Sequence, residues 1–186
     1  MSFRLGLPFV CLFFALSLFH GVKSPLMLVL AVLIHEGGHI LAARLMKAPV
    51  TALSLGIHGF SLSFDFTTVS YIKEFFIIIS GSAVGLLAAF AAYKVSPRLS
   101  YFTLVSAVMA LINLLPIRGL DGGEALFCLL AHFMLPDRAC AFLKVVSLIT
   151  AGLFWMGAVW IQLRVHPNLS ILAASFYFLW QSTKEH

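Results

Sequence analysis

The sequence predicts an all-α polytopic membrane protein with about six transmembrane helices, a broken fourth span and a small membrane-associated β-hairpin. Three observations lead to this prediction: the composition, the recurrence of long apolar runs and one segment of alternating polarity. Hydrophobic residues make up 61% of the 186 residues and charged residues only 10%, whereas soluble domains average about 45–50% and about 25%. A soluble core of this size cannot bury so much apolar surface, but a bilayer can accommodate it.

Apolar runs of the length that crosses a bilayer, about 20 residues, recur along the chain and are separated by joints with proline or glycine. The first run resembles a signal peptide, but no small-x-small cleavage site follows it near His20, so we predict a retained span. No repeat or soluble domain interrupts the runs, and residues 1–186 are predicted to form a single membrane-embedded domain. The predicted spans are 5–22, 25–46, 72–94, 100–116, 141–163 and 168–181, and an apolar half-helix at 121–134 follows the break in the fourth.

One segment differs from the apolar runs. Residues 51–66 alternate apolar and polar side chains on both sides of His58-Gly59. This period of two around a glycine-containing turn predicts a β-hairpin. Because lipid cannot satisfy the open edge of a sheet, the hairpin must lie at the membrane interface or be covered by protein.

The basic residues indicate an orientation rather than a nucleic-acid partner. The formal net charge is +5, but the Lys and Arg residues are spread thinly and form no basic patch interleaved with aromatics. With six spans, the positive-inside rule places eight basic residues on one side and four on the other, which predicts both termini in the cytoplasm. The larger set is Arg4, Arg44, Lys47, Lys73, Arg118, Arg138, Lys144 and Lys184, and the smaller set is Lys23, Lys94, Arg98 and Arg164.

The second apolar run contains the pentapeptide His35-Glu36-Gly37-Gly38-His39. On a helix, positions four apart share one face, so His35 and His39 can bind one metal ion through imidazole nitrogens. Glu36 then lies beside the metal axis, where a general base would act on an activated water. The spacing therefore predicts a hydrolytic metal site inside a membrane span.

This pentapeptide is energetically unfavourable in its setting. Translocon scales assign about 2.5–3.5 kcal/mol to an Asp, Lys or Arg at the centre of a membrane helix, and Gly37 and Gly38 each cost about 1 kcal/mol relative to Ala. Chance packing or snorkelling to a helix end would not offset these terms. A functional role is the better explanation of ionisable residues within hydrocarbon.

A catalytic zinc site usually takes three ligands from the protein, so a third ligand is needed. Asp121 is the first candidate, because it follows a span stopped by Pro116 and loosened by Gly119, and broken helices at membrane depth line covered or watery cavities. Asp121 could also be the N-cap of a helix over 122–134, and the two roles are compatible. Glu124 is the rival ligand, although an acid in the first helical turn is also favoured by the helix dipole alone.

The HEGGH turn in one span, with Asn113-x-x-Pro116-x-x-x-x-Asp121-Gly122 in a later one, resembles the site-2 protease family of intramembrane zinc metalloproteases. The resemblance covers about residues 25–130. It is strongest to the branch that processes a sporulation sigma factor, because no PDZ domain is inserted and six spans are predicted.

The resemblance implies an intramembrane metalloprotease that cuts transmembrane or membrane-associated proteins within a bacterial or archaeal cytoplasmic membrane. Regulatory membrane proteins are further candidate partners. The hairpin at 51–66 would pair with an extended substrate by β-strand addition. The implied roles are Zn²⁺ binding for His35, His39 and Asp121, activation of water for Glu36, and substrate binding for Asn113 and Pro116.

Two features depart from the family pattern. The stretch 81–85 reads Gly-Ser-Ala-Val-Gly where many relatives carry Gly-Pro-x-x-Asn, so a second polar group near the substrate is not expected. The chain ends at His186 without the CBS domain that often ends the sporulation branch, so regulation through such a domain is not expected either. Two alternatives stay open: a non-enzymatic metal-binding or transport protein, which the lack of internal repeats disfavours, and a different membrane metalloprotease class with a glutamate third ligand.

Overall fold

The computed structural model of the chain describes residues 3–5, 23–48, 50–56, 59–64, 69–95, 100–164 and 169–183. The chain divides into two compact units, Met1–Ile112 and Asn113–His186. The elements of the first unit are β1 (Phe3–Leu5), α1 (Lys23–Leu45), β2 (Val50–Gly56), β3 (Gly59–Phe64), α2 (Tyr71–Val95) and α3 (Tyr101–Asn113), whose last residue begins the second unit. The second unit continues with α4 (Asp121–Phe133), α5 (Pro136–Arg164) and α6 (Leu169–Thr183).

Within the described residues, three helices are long and apolar enough to cross a membrane: Pro25–Leu45, Tyr71–Val95 and Pro136–Arg164. They correspond to the second, third and fifth predicted spans and identify the chain as a membrane protein. The predicted first span, 5–22, lies outside the described residues apart from Leu5, which ends β1. The predicted sixth span coincides with α6, and its crossing of the membrane stays a prediction.

The fourth predicted span is shorter than the range 100–116. Helix α3 has 13 residues and ends at Asn113, so it extends about 20 Å against a hydrocarbon core of about 30 Å. Pro116 explains the early end, because its ring would clash with the carbonyl four residues before it and it disfavours helix at Leu115. A connecting segment of residues 114–120 then leads into α4, which begins at Asp121 as the half-helix prediction requires.

Helix α5 begins at Pro136 rather than at the predicted residue 141. In the sequence, Pro136 is predicted to lie at a joint between elements. Proline is also well tolerated at the first helical position, where its missing N–H has no partner to lose. Asp137 follows in the first turn, where the helix dipole favours an acid.

Strands β2 and β3 pair antiparallel, with Leu53 opposite Leu62 and Gly56 opposite Gly59. They occupy the segment for which the sequence predicts a hairpin over 51–66, although residues 57–58 and 65–68 lie outside the described residues. Strand β1 pairs in parallel with β2, which gives the order β1-β2-β3 among the described strands. The sequence does not predict β1, because three residues carry no usable periodicity.

Helices α1 and α2 pack closely through small residues. The buried positions of α2 include Ile77, Gly81, Gly85 and Ala89, which recur every four residues on one face. A Cβ added to Gly38 of α1 would lie 2.8 Å from the Ser80 carbonyl oxygen and 2.9 Å from the Gly81 Cα. Small residues allow the backbones of membrane helices to approach in this way. The HEGGH turn of α1 is thereby held against α2.

In the second unit, the segment before α4 is fixed by α5. The buried Ser147 of α5 accepts a hydrogen bond from the Arg118 amide, 2.7 Å, and donates to the Pro116 carbonyl, 3.3 Å. A Cβ on Gly122 or Gly123 would collide with backbone of the 114–120 segment. These contacts define where the first residue of α4 lies within its own unit.

Candidate metal centre

The imidazoles of His35 and His39 converge on one buried point of the first unit. Their Nε2 atoms are 3.4 Å apart, and the side chains are 3% and 6% exposed. Two imidazole nitrogens bound to one tetrahedral zinc ion at 2.0–2.1 Å are about 3.3 Å apart. The separation in the structure therefore fits a pair of ligands on one ion, as the spacing in the sequence predicts.

A backbone carbonyl of α2 fixes the His39 ring. Nδ1 of His39 lies 2.9 Å from the Ile77 carbonyl oxygen. Because a carbonyl oxygen can only accept, Nδ1 carries the hydrogen and donates it. In the neutral ring Nε2 then keeps its lone pair, which is the tautomer that a metal ligand needs. The donor chemistry of this pair fits zinc as well as its spacing does.

Gly81 of α2 lies directly against the same ring. A Cβ added at Gly81 would overlap Nε2 of His39 and would come within 2.7 Å of its Cδ2. One turn further along, a Cβ at Gly85 would lie 3.8 Å from Nδ1 of His35. The contact of this stretch with the histidines is not predicted from the sequence, in which it stands out only as a departure from a family pattern. The Gly-x-x-x-Gly spacing within an apolar span was the signal that could have identified it as a close helix contact.

Glu36 follows His35 on α1 and is half-buried. Between Lys23 and Arg44 it is the one charged residue of the helix, apart from the two histidines. Its place in the chain puts it about 100° around the helix from His35, beside the ligand pair rather than in line with it. Glu36 is therefore not on the helix face that the two histidines share, and its role as a general base stays a prediction.

Asp121 lies in the second unit as the first residue of α4, half-buried. The interpretation of Asp121 as the helix N-cap is wrong, because Leu120 has the extended backbone of the cap, with φ −106° and ψ 156°. Asp121 is therefore at the first helical position, where the dipole still favours a carboxylate.

The other predicted residues of the second unit surround the break before α4. Glu124 accepts a hydrogen bond from the Gly119 amide, 3.1 Å, so its carboxylate already stabilises the turn. Asn113 ends α3 and Pro116 interrupts the chain after it, and both are half-buried. Their roles toward a substrate stay predictions. The structure thus brings His35 and His39 together in one unit and places Asn113, Pro116 and Asp121 along one short segment of the other.

The two glycines of the HEGGH turn are expected to respond in opposite ways to alanine. No described atom lies within 4 Å of a Cβ added to Gly37, so Gly37→Ala should leave stability unchanged or raise it by up to about 1 kcal/mol through helix propensity. Gly38→Ala should destabilise by about 1–3 kcal/mol, because its Cβ would meet backbone atoms that cannot rotate away. Thermal unfolding of the two purified variants measures this, and equal midpoints would contradict the close contact of α1 with α2.

Comparison with known proteins defines the fold. The chain is similar to the solved structure of the Site-2 Protease from Methanocaldococcus jannaschii, with a TM-score of 0.63 and 19% identity over 94% of this chain and 84% of that chain. The fold of the chain is therefore similar to that of this site-2 protease.

In sequence, the chain is 33% identical over 131 residues to the stage IV sporulation protein FB of Bacillus subtilis (strain 168), which covers 66% of this chain. The match covers 46% of that protein, so the chain spans less than half of its relative's length. No protein-family model matches the chain. The resemblance to site-2 proteases that the motifs predict is confirmed by the two matches.

Proposed function

We propose that the chain is an intramembrane zinc metalloprotease that hydrolyses peptide bonds of membrane-embedded or membrane-associated proteins. The observation that carries the proposal is the 3.4 Å approach of two buried imidazole nitrogens in a helix apolar enough to span a membrane, with Glu36 adjacent. The likeness to a site-2 protease fold supports it. The multi-pass arrangement in a bacterial or archaeal cytoplasmic membrane, with both termini in the cytoplasm, is part of the same proposal.

His35 and His39 would hold Zn²⁺ through Nε2, and a carboxylate oxygen of Asp121 would complete the set of protein ligands. When bound, zinc would polarise the scissile carbonyl and lower the pKa of the attacking water. Glu36 would take the proton from that water and deliver it to the leaving amine. This division of labour uses the buried histidines for binding and the half-buried acid for proton transfer.

A helical substrate hides its amides in its own hydrogen bonds, so it must unwind before hydrolysis. Strand β3, Gly59–Phe64, has β2 on one side in the order of the described sheet, and its other side would accept an extended substrate strand. Asn113 and the break at Pro116 would hold the unwound segment. The proposed substrate is thus a membrane segment that can become extended.

Removal of the metal tests the proposal. We expect the purified chain in proteoliposomes to cut a membrane-embedded model substrate, to lose this activity on treatment with ortho-phenanthroline, and to regain it when Zn²⁺ is added. The isomer meta-phenanthroline, which does not chelate, is the control and should have no effect. Cleavage that persists at its full rate after complete removal of zinc would contradict a metalloprotease.

A further inference from the structure

The face of α2 that packs against the HEGGH turn offers His39 two features one helical turn apart. One is a backbone carbonyl that accepts a hydrogen bond, and the other is the space left by a glycine. The Ile77 carbonyl accepts a hydrogen bond from Nδ1 of His39, 2.9 Å, and Ile77 is fully buried. Four residues later, Gly81 leaves the space that the His39 ring fills. The ring is therefore held at its Nδ1 by one residue and at its Nε2 edge by the other.

A glycine in the middle of α2 requires an explanation. In a helix interior it costs about 1 kcal/mol relative to alanine. Gly81 is buried in a helix that is otherwise strongly apolar. The atoms nearest to its missing side chain are all in the His39 imidazole, so the cost is explained by this one side chain.

The geometry points to Gly81 and the Ile77 carbonyl as a positioning unit for His39, through which α2 sets the metal affinity of the HEGGH turn. Ile77 selects the tautomer with the lone pair on Nε2, and Gly81 lets that nitrogen lie 3.4 Å from its counterpart on His35. Gly81 lies against the His39 ring and would act through it. The inference rests on the proposed function in taking zinc as the ion.

The substitution Gly81→Ala tests the positioning role. Its Cβ overlaps a side chain that can rotate, so we expect the metal-free chain to fold with a midpoint of unfolding close to that of the wild type. Rotation breaks the bond to Ile77 and turns Nε2 away from His35. Zinc affinity, measured on the full chain by competition with a chromophoric chelator, should fall about 10- to 100-fold, as for other groups that orient metal ligands.

Two further measurements separate positioning from a general packing effect. The visible absorption of the cobalt-loaded chain reports coordination geometry and should change in Gly81→Ala. Gly152→Ala in α5 is the matched control, because no described atom lies within 4 Å of its added Cβ, and it should keep wild-type affinity and spectrum. If Gly81→Ala does not fold, the inference requires that adding His39→Ala restores folding, because the overlap is with that ring.

The outcomes are distinct. Equal zinc affinity and identical cobalt spectra in the wild type and Gly81→Ala would overturn the inference and leave the proposed function intact. Failure of His39→Ala to restore a misfolded Gly81→Ala chain would also overturn it. A wild-type chain that binds no zinc would instead refute the proposed function.

Discussion

Glu36→Gln is expected to reduce peptide hydrolysis by about 10²- to 10⁴-fold, the contribution typical of a general acid–base residue, while zinc stays bound. The amide has nearly the shape of the carboxylate but cannot accept the proton of the attacking water. The histidines that would hold the metal are unchanged by the substitution. The measurement is the cleavage rate of a membrane substrate together with the zinc content of the same preparation.

Glu74→Gln is the matched control for this experiment. Glu74 lies in the first turn of α2, another apolar helix of the same unit, so the substitution removes the same charge at a position with no assigned part in the reaction. It should retain the wild-type rate. A Glu36→Gln chain that also cuts at the wild-type rate would remove Glu36 from the proposed chemistry.

Asp121→Ala is expected to abolish stoichiometric zinc binding, whereas Glu124→Ala should retain it. Loss of a direct ligand should weaken binding by more than the 10- to 100-fold that loss of an outer partner causes. Glu124 accepts from the Gly119 amide, so its removal loosens the turn before α4 without removing a ligand. Zinc per chain, measured by elemental analysis after gel filtration, compares the two variants directly.

The Asp121→Ala and Glu124→Ala variants also distinguish two classes of metalloprotease, which differ in the residue that is the third zinc ligand. If Glu124→Ala loses zinc and Asp121→Ala keeps it, the third ligand is the glutamate, and the site belongs to the other membrane class considered for this sequence. If both variants keep zinc at one ion per chain, neither acid is a ligand. We expect neither result.

Local features of the site could be predicted from the sequence because they depend on helix geometry alone. His35 and His39 are four residues apart, and any α-helix places such residues on one face. The broken fourth span follows in the same way from Pro116, which acts on the residues just before it. The long apolar helices follow from composition and length.

Features that depend on pairing between distant segments could not be predicted. Strand β1 is defined by its contact with β2 about 50 residues later, and three residues give no periodic signal. The place of Gly81 against the His39 ring depends on the register of α1 on α2. The buried Arg118 contacts two residues of α5: its amide donates to Ser147 and its guanidinium donates to the Cys140 sulfur. Each of these contacts joins residues that are far apart in the sequence, so no local sequence pattern predicts it.

The ends of elements were ambiguous for a different reason. Proline can stop a helix or begin one, and Pro136 begins α5 where the sequence favours a joint. Similarly, an acidic residue at the start of a helix can be either the N-cap or the first helical residue. The extended backbone of Leu120 makes it the cap and moves Asp121 into the helix.

X-ray absorption at the zinc edge of the purified, membrane-reconstituted chain tests the central claim most directly. We predict two imidazole nitrogens at about 2.0–2.1 Å and oxygen ligands at about 2.0–2.2 Å. A spectrum that shows sulfur at about 2.3 Å, or that lacks the scattering of paired imidazoles, would contradict a catalytic ion held by His35 and His39.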